Sequence, residues 1–526
     1  MTPCQYAGSE LRRSEQAAQV IQRSATVLVF GAAALLLWWL YGNRLILGTN
    51  DEGIYLDAAE RILHGQQPYR DFFGYMSPGS FWIHALVFRL FGTTLAAARS
   101  LVVLYAALEC ALVYWLVARF ASPGCALATT FLFFAFETSD ASRMTAQHRW
   151  DSAAFSLAAI ALCTGALIDR RRLWFAVSGA LMVLAAIATP SMALLGVITL
   201  VWLVWQRELR PNAAWFLSGM LAAATLFFLA LCLNGILGPL AAQMAWLSKN
   251  YSIVNGMPYG SIVGGYRALF DGVAGWELGI SAWLVFCMAL PAVLPIVSLA
   301  GGAAFLLCPL QRNDALRSVL PYLMLCIAAL VISIYPRADV EHLSFVAPLP
   351  YAVAGILAYR WVPTRLRAWL TLWMAVWAVA FFAVGAGGLR GQEVRTPVGN
   401  IRANVDDGRL VSGLLERVHP GDSLFVYPYK PLLYFLTQGE NPTRYSYVQP
   451  GLMTPQDAAL ALADLKRKPP QWVIYLDLDP VQFERVWPAA AGHDLHFQEL
   501  EAWIKGNYRA SDLPPITGYV LMQRQQ

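Results

Sequence analysis

Asp51 and Glu52 stand side by side in "GTNDEGIYLDAAERILHG" (48–65), directly after an apolar run long enough to cross a bilayer. Two adjacent acids at such an exit have two uses. Asn50 or Asp51 can cap the helix that follows, with both carboxylates complementing its positive end for about 0.3–1 kcal/mol each. Alternatively, an acid at the water-facing edge of a membrane can take a proton from a hydroxyl, which as positioned general-base catalysis contributes roughly 10²–10⁴ in rate. Spacing by itself favours the cap, so the surroundings have to decide.

Other charged residues gather near the same boundary. Asp71, in "YRDFF", is a candidate for contact with a polar substrate, or else a partner of Arg70. Arg99 lies near one end of the second apolar run, Arg337 and His342 flank "PRADVEH" (336–342), and His148 and Arg149 fall in "QHRWD" (147–151). An Arg at the bilayer centre costs roughly 2.5–3.5 kcal/mol on insertion scales, so each should be paired or near an interface. Asp339 and Glu341 are placed to neutralise Arg337 and His342. Glu109, inside "LYAALECALVYW", is expected to form a structural pair within the bundle. Trp38, Trp39, Tyr41, Trp202 and Trp205 read as interface anchors. Tyr427, Tyr429 and Tyr434 read as core before they read as platforms for a sugar.

The elements that must position these groups are membrane helices. Of 526 residues, 58% are hydrophobic and 13% charged, against about 25% charged in soluble domains, and the mean hydropathy is +0.49. The net charge of +5 comes mainly from Arg scattered singly between apolar runs, a topological pattern that excludes a nucleic-acid footprint. The eight cysteines lie mostly inside apolar runs without CxxC spacing, against a disulfide framework or a zinc site built on them. Arg12, Arg13 and Arg23 precede an apolar run without a small-residue cleavage site, as in an uncleaved anchor.

About eleven spans, give or take two, are expected, near 26–47, 94–118, 124–138, 152–168, 173–189, 191–206, 213–237, 279–308, 319–335, 343–359 and 368–389; 173–189 and 191–206 hinge on Thr189-Pro190 as two tilted short helices or one re-entrant pair, and the long segment 279–308 contains Pro291 and Pro295. A cytoplasmic segment 1–25 then puts "DRRR" (169–172), Arg119, Arg207, Arg210, Arg312, Arg317, Arg360, Arg365 and Arg367 on one side. The loop 48–93 and the tail 390–526 fall on the other. In that loop Tyr55, Ala58, Ala59, Ile62 and Leu63 form an apolar stripe opposite Asp57, Glu60 and Arg61, which predicts an amphipathic helix on the membrane surface, stopped by Gly65. "SPGSFWIHALVFRLFG" (77–92) predicts a second. In the tail, "SLFVY", "WVIYLD" and "GYVLMQ" alternate with helix-like stretches at 455–468 and 497–506, the pattern of a small α/β domain. It contains no phosphate-cradling Gly loop and no metal-binding His pair.

An Asp-Glu pair opening the first outer loop, followed by two surface helices and a Pro-Gly turn, resembles the GT-C superfamily of polyprenyl-phosphate-sugar-dependent glycosyltransferases. The dolichyl-phosphate-mannose protein mannosyltransferases and the lipid A aminoarabinose transferase belong to it. The resembling pieces are "NDEGIYLDAAERILHGQQPYRDFFGYMSPGSF", "AAARSLVVL", "YPRADVEHLSFVAPLP" and "LFVYPYKPLLYFLTQGENPTRY". The resemblance implies transfer of a sugar from a polyprenyl phosphate to a hydroxyl of a glycan, lipid or protein at the outer face of a bacterial inner membrane. Asp51 would be the general base, with inversion, and Glu52 would orient the base or the acceptor. Asp71, Arg99, Arg337, His342, His148 and Arg149 would bind substrate, since a departing phosphate needs fixed positive charge in a water-poor site. "MSPGS" departs from the His-Pro-Pro type of turn in the mannosyltransferases, so sugar and acceptor do not carry over. A divalent metal is possible but not favoured, because the acids lack Asp-x-Asp spacing. The alternatives are a transporter or flippase of lipid-linked saccharides, for which no second copy of the first half is found, and a non-catalytic envelope scaffold.

Overall fold

The computed structural model describes residues 3–47, 51–308, 315–387, 391–515 and 518–525. Asn50 and Arg312 lie outside them, as do the side chains of Cys4, Arg12 and Arg13. Seven helices are long and apolar enough to cross a membrane: Val20–Tyr41, Leu95–Ala118, His148–Asp169, Arg207–Leu233, Glu277–Leu307, Leu316–Ser333 and Thr364–Gly385. Pro123–Glu137, Arg172–Ala188 and Pro190–Trp205 are shorter apolar helices, and Pro348–Trp361 has 14 residues. At 1.5 Å per residue such a helix reaches only about 21 Å. Each expected segment thus contains a helix among the described residues, and seven of those helices meet the length of a span.

Local chemistry sets the breaks. Thr189 is extended (φ −135°, ψ 105°) ahead of Pro190, as a residue before proline prefers, and a short 3₁₀ turn follows before the chain resumes as helix. Pro291 and Pro295 sit inside one continuous helix of 31 residues, in keeping with the single segment expected near 279–308. Neighbouring helices in a bundle can satisfy the carbonyls a proline frees. Arg172–Ala188 and Arg210–Leu233 approach through glycine. A Cβ on Gly219 would lie 1.8 Å from the carbonyl oxygen of Ala176, and one on Gly179 would lie 2.1 Å from that of Phe216. Small residues at such a crossing let backbones pack where lipid gives no hydrophobic drive.

The first loop carries the two expected helices, Asp51–Leu63 and Pro78–Phe91. Gly65 (φ 85°) and Gly92 (φ 89°) end them in conformations that glycine adopts without strain. The first of them does not lie on lipid, however. Residues 52–59 are buried throughout, because the polar face expected to meet water is covered by the tail: Asp57 pairs with Arg61 at 3.0 Å, Ser446 donates to Asp57, and Arg61 reaches the Thr443 carbonyl.

The tail opens with a hairpin of β1 (Gln392–Thr396) and β2 (Gly399–Ala403). A four-stranded sheet follows, in the order β3 (Leu424–Tyr427), β4 (Trp472–Tyr475), β6 (Val520–Arg524), β5 (Tyr508–Ala510), with β3 and β4 parallel and the other pairs antiparallel. β3 and β4 are buried along their whole length, as unbroken apolar runs require. A capping box of Thr454 and Asp457, with Pro455 in the first turn, starts the helix Pro455–Arg467 between them. Ile54, Tyr55 and Ala58 of the loop share one core with Phe425, Tyr427 and Val473 of the tail. Gly53 fits so closely that a Cβ there would lie 1.9 Å from the backbone nitrogen of Leu432.

Candidate active site

Asp51 is the first residue of its helix, so its carboxylate sits at the positive end of the helix dipole. It does not fold back to cap its own turn; Oδ1 accepts the Tyr429 hydroxyl at 2.6 Å. Tyr429 is itself fixed: the Tyr519 hydroxyl donates to its carbonyl at 2.6 Å, and its ring meets that of Tyr447 edge-on at 5.2 Å. Burial, and then the charge of Asp51, push the Tyr429 phenol well above its ordinary range, so it stays a neutral donor.

Asp51 and Tyr429 line a cavity of about 340 Å³ bounded by the first loop, the bundle and the tail. His148, Arg149, Arg337 and His342 line the same space. Arg149 is 7% exposed, and its guanidinium makes no hydrogen bond or ion pair with a described residue. Arg337 gives Nε to Asp339 at 2.9 Å and lays its guanidinium 4.2 Å from the centre of the Trp487 ring. His342 Nδ1 is 2.6 Å from the other oxygen of Asp339. Burial pushes the Asp339 carboxyl up, but His342 and Arg337 pull it down further and keep it ionised. For His342, burial outweighs the attraction of Asp339 and holds the imidazole below its ordinary value. His148 Nδ1 meets the Thr189 hydroxyl at 2.7 Å, and its ring stacks on Tyr55. Half-buried Glu341 completes this wall; burial first, then the charges of Asp339, Asp140 and Asp51, raise its carboxyl to about 7.

Three expected site residues lie elsewhere. Glu52 and Arg99 are fully buried against each other, Nε to Oε1 at 2.5 Å and Nη2 to Oε2 at 2.7 Å. The Ala146 amide also donates to Glu52 and Arg99 Nη1 to the Met144 carbonyl. The pair joins the first loop, the Leu95–Ala118 helix and the segment before His148, and leaves neither charge for a ligand. Asp71 is held in an exposed turn by Arg70 at 2.8 Å and by the Gln67 amide at 2.7 Å. Glu109 lacks the pair expected of it: its buried Oε1 has no hydrogen-bond partner among the described residues, while Arg143 binds Glu137 at 2.9 Å. Tyr427 and Tyr434 are core, with their hydroxyls on Glu501 and the Val426 amide.

Sequence reasoning did not single out Trp487 or Glu341 as cavity lining, and it read Tyr429 as core. The available signal for Tyr429 was the Tyr-Pro-Tyr-Lys-Pro stretch at 427–431, set among otherwise apolar residues.

No protein-family model and no curated protein matches the chain. Among solved structures it is similar to ArnT from Cupriavidus metallidurans bound to undecaprenyl phosphate, at 14% identity over 94% of this chain and 97% of that one, with a TM-score of 0.55. It is also similar to the archaeal oligosaccharyltransferase AglB from Archaeoglobus fulgidus in complex with an inhibitory peptide and a dolichol-phosphate. There the identity is 11% over 96% of this chain and 74% of that one, and the TM-score is 0.50. The chain thus shares its fold with these two proteins, and among the described residues it carries seven helices long and apolar enough to cross a membrane.

Proposed function

We propose that the protein is a glycosyltransferase that takes a sugar from a polyprenyl phosphate and transfers it to a hydroxyl of a glycan, lipid or protein. One observation carries this reading: in a chain of this fold, Asp51 shares a cavity with Arg149, whose guanidinium has no hydrogen-bond or ion-pair partner among the described residues. Asp51, held by Tyr429, acts as general base on the acceptor hydroxyl. Arg149, with Arg337 and the imidazoles of His148 and His342, receives the phosphate that leaves from the anomeric carbon, and fixed charges already in place cost no reorganisation as that charge develops. Attack opposite the phosphate inverts the anomeric centre. Both solved relatives hold a polyprenyl-type phosphate, which supports a lipid-linked donor here.

In this reading all eleven helical segments, the short ones tilted or partly inserted, form the membrane unit 26–389 of a bacterial inner-membrane protein. The amino terminus is cytoplasmic, and 390–526 lies outside. Glu52 and Arg99 position Asp51 by clamping its helix, and Asp71 takes no part. The test is transfer from a panel of polyprenyl-phosphate sugars by the purified protein. Label moving to an acceptor with wild type and not with Asp51→Asn supports the assignment, and equal transfer by both sinks it.

A further inference from the structure

The tail holds a second cluster of chemistry-bearing side chains, on the sheet. Asp477, His496 and Glu501 bring metal-ligating atoms within 4.8 Å of one another. They sit where the parallel pair β3–β4 ends. Tyr427 and Tyr475 are register partners there, with rings stacked at 5.6 Å and 11°. Each phenol donates to one of the acids: Tyr427 to Glu501 Oε1 at 2.6 Å and Tyr475 to Asp477 Oδ1 at 3.1 Å. His496 Nδ1 lies 3.2 Å from Glu501 Oε2. Glu501 is buried, His496 partly exposed and Asp477 exposed, so the cluster is closed below and open on one side.

We propose that Asp477, His496 and Glu501 form a site for a divalent transition-metal cation, Zn²⁺ foremost. One imidazole with two carboxylates is a donor set that zinc accepts, and three protein ligands leave a position for water. The stacked tyrosines supply what metal carboxylates ordinarily have, an outer hydrogen bond that fixes their orientation. Two carboxylates are brought together here with one nearby ammonium, Lys505, 3.5 Å from Asp477 and half-exposed on a flexible stem. An exposed contact of that kind contributes about 0–1 kcal/mol and yields readily to a dication. The ligands come from both ends of the segment 477–501, so an ion closes that segment onto the sheet. The same segment carries Leu478, Phe483 and Trp487 to the wall of the Asp51 cavity. Metal occupancy thereby steadies the ring on which Arg337 rests.

This inference does not depend on the transferase reading, and its test reads binding alone. Untagged full-length protein in detergent is stripped with EDTA and titrated with Co²⁺ by absorption, then with Zn²⁺ by calorimetry. The expected result is one equivalent bound with a dissociation constant below about 10 µM, weakened at least tenfold in His496→Ala and in Asp477→Asn. Tyr427→Phe keeps all three ligands and should weaken binding roughly 10–100-fold, as loss of an outer-shell partner does. An unchanged elution profile in size-exclusion chromatography shows that each variant is folded. Zn²⁺ binding that is equal in wild type and His496→Ala, or no binding by wild type up to about 100 µM, overturns the proposal.

Discussion

The hydroxyl of Tyr429 and the carboxylate of Asp51 are separated by 378 residues of chain and by 2.6 Å in space. A hydrogen bond to a charged group contributes about 1.5–3 kcal/mol, so Tyr429→Phe is expected to lower kcat roughly 10–100-fold with little change in donor KM. A variant that raises donor KM at unchanged kcat would place Tyr429 in binding instead.

In the proposed transferase, Asp51→Asn removes the base and keeps the shape. Transfer should fall about 10²–10⁴-fold, while membrane yield and thermal stability stay at wild-type values. Both are measured on the same detergent preparation.

Arg149 tests the phosphate site. Removing a buried charge that meets an opposite charge in a complex costs about 2–5 kcal/mol, so Arg149→Gln should raise donor KM thirtyfold or more, on the order of the lower bound. Arg149→Lys keeps the charge but loses the planar fork and should recover part of that loss. Steady-state kinetics with the donor varied would separate the two.

Glu52 and Arg99 should behave as structure. Breaking a buried pair from one side leaves an uncompensated charge and costs about 3–5 kcal/mol, whereas apolar or neutral replacement of both is far milder. Glu52→Gln and Arg99→Met are each expected to lower the unfolding temperature sharply, and the double variant to regain most of it. Thermal unfolding in detergent provides the check. If either single variant unfolds like wild type, the clamp is not structural.

The Glu341 carboxyl, raised from 4.5 to about 7, gives the pH prediction. The folded protein holds this proton where the unfolded chain releases it. Its contribution to stability is therefore complete below the unfolded value of 4.5 and is lost as pH rises through about 7. Ionisation also adds a negative charge to the wall that carries Arg149 and Arg337, so donor KM should rise between acid and alkaline sides of neutrality. Glu341→Gln should flatten that rise. A profile that remains equally steep in the variant would exclude Glu341.

The sequence made the helices legible because apolar length and proline position are local signals. Thr189-Pro190 breaks its segment for a reason written in two residues, whereas Pro291 and Pro295 are absorbed by neighbours that no window of sequence contains. The site was half legible for the same reason. Asp51, Arg149, Arg337, His148 and His342 could be named from residue type and position in the topology, and they do line one cavity. Pairing was legible only as an alternative: Arg99 was open to a phosphate or a carboxylate partner and the fold sets it on Glu52, while Asp71 takes the offered partner Arg70 in a tight turn. The surface helix was misread because its amphipathic stripe predicts one covered face, and the tail that covers the other lies hundreds of residues away.

The seat of Leu432 on Gly53, too close for any side chain, has a consequence for biogenesis. The acid and the phenol that holds it belong to segments made at opposite ends of synthesis, and they meet only when the late segment docks on the early one. Until then the cavity lacks the wall that the tail supplies, so on the proposed reading a nascent chain that has already threaded its first loop does not yet transfer.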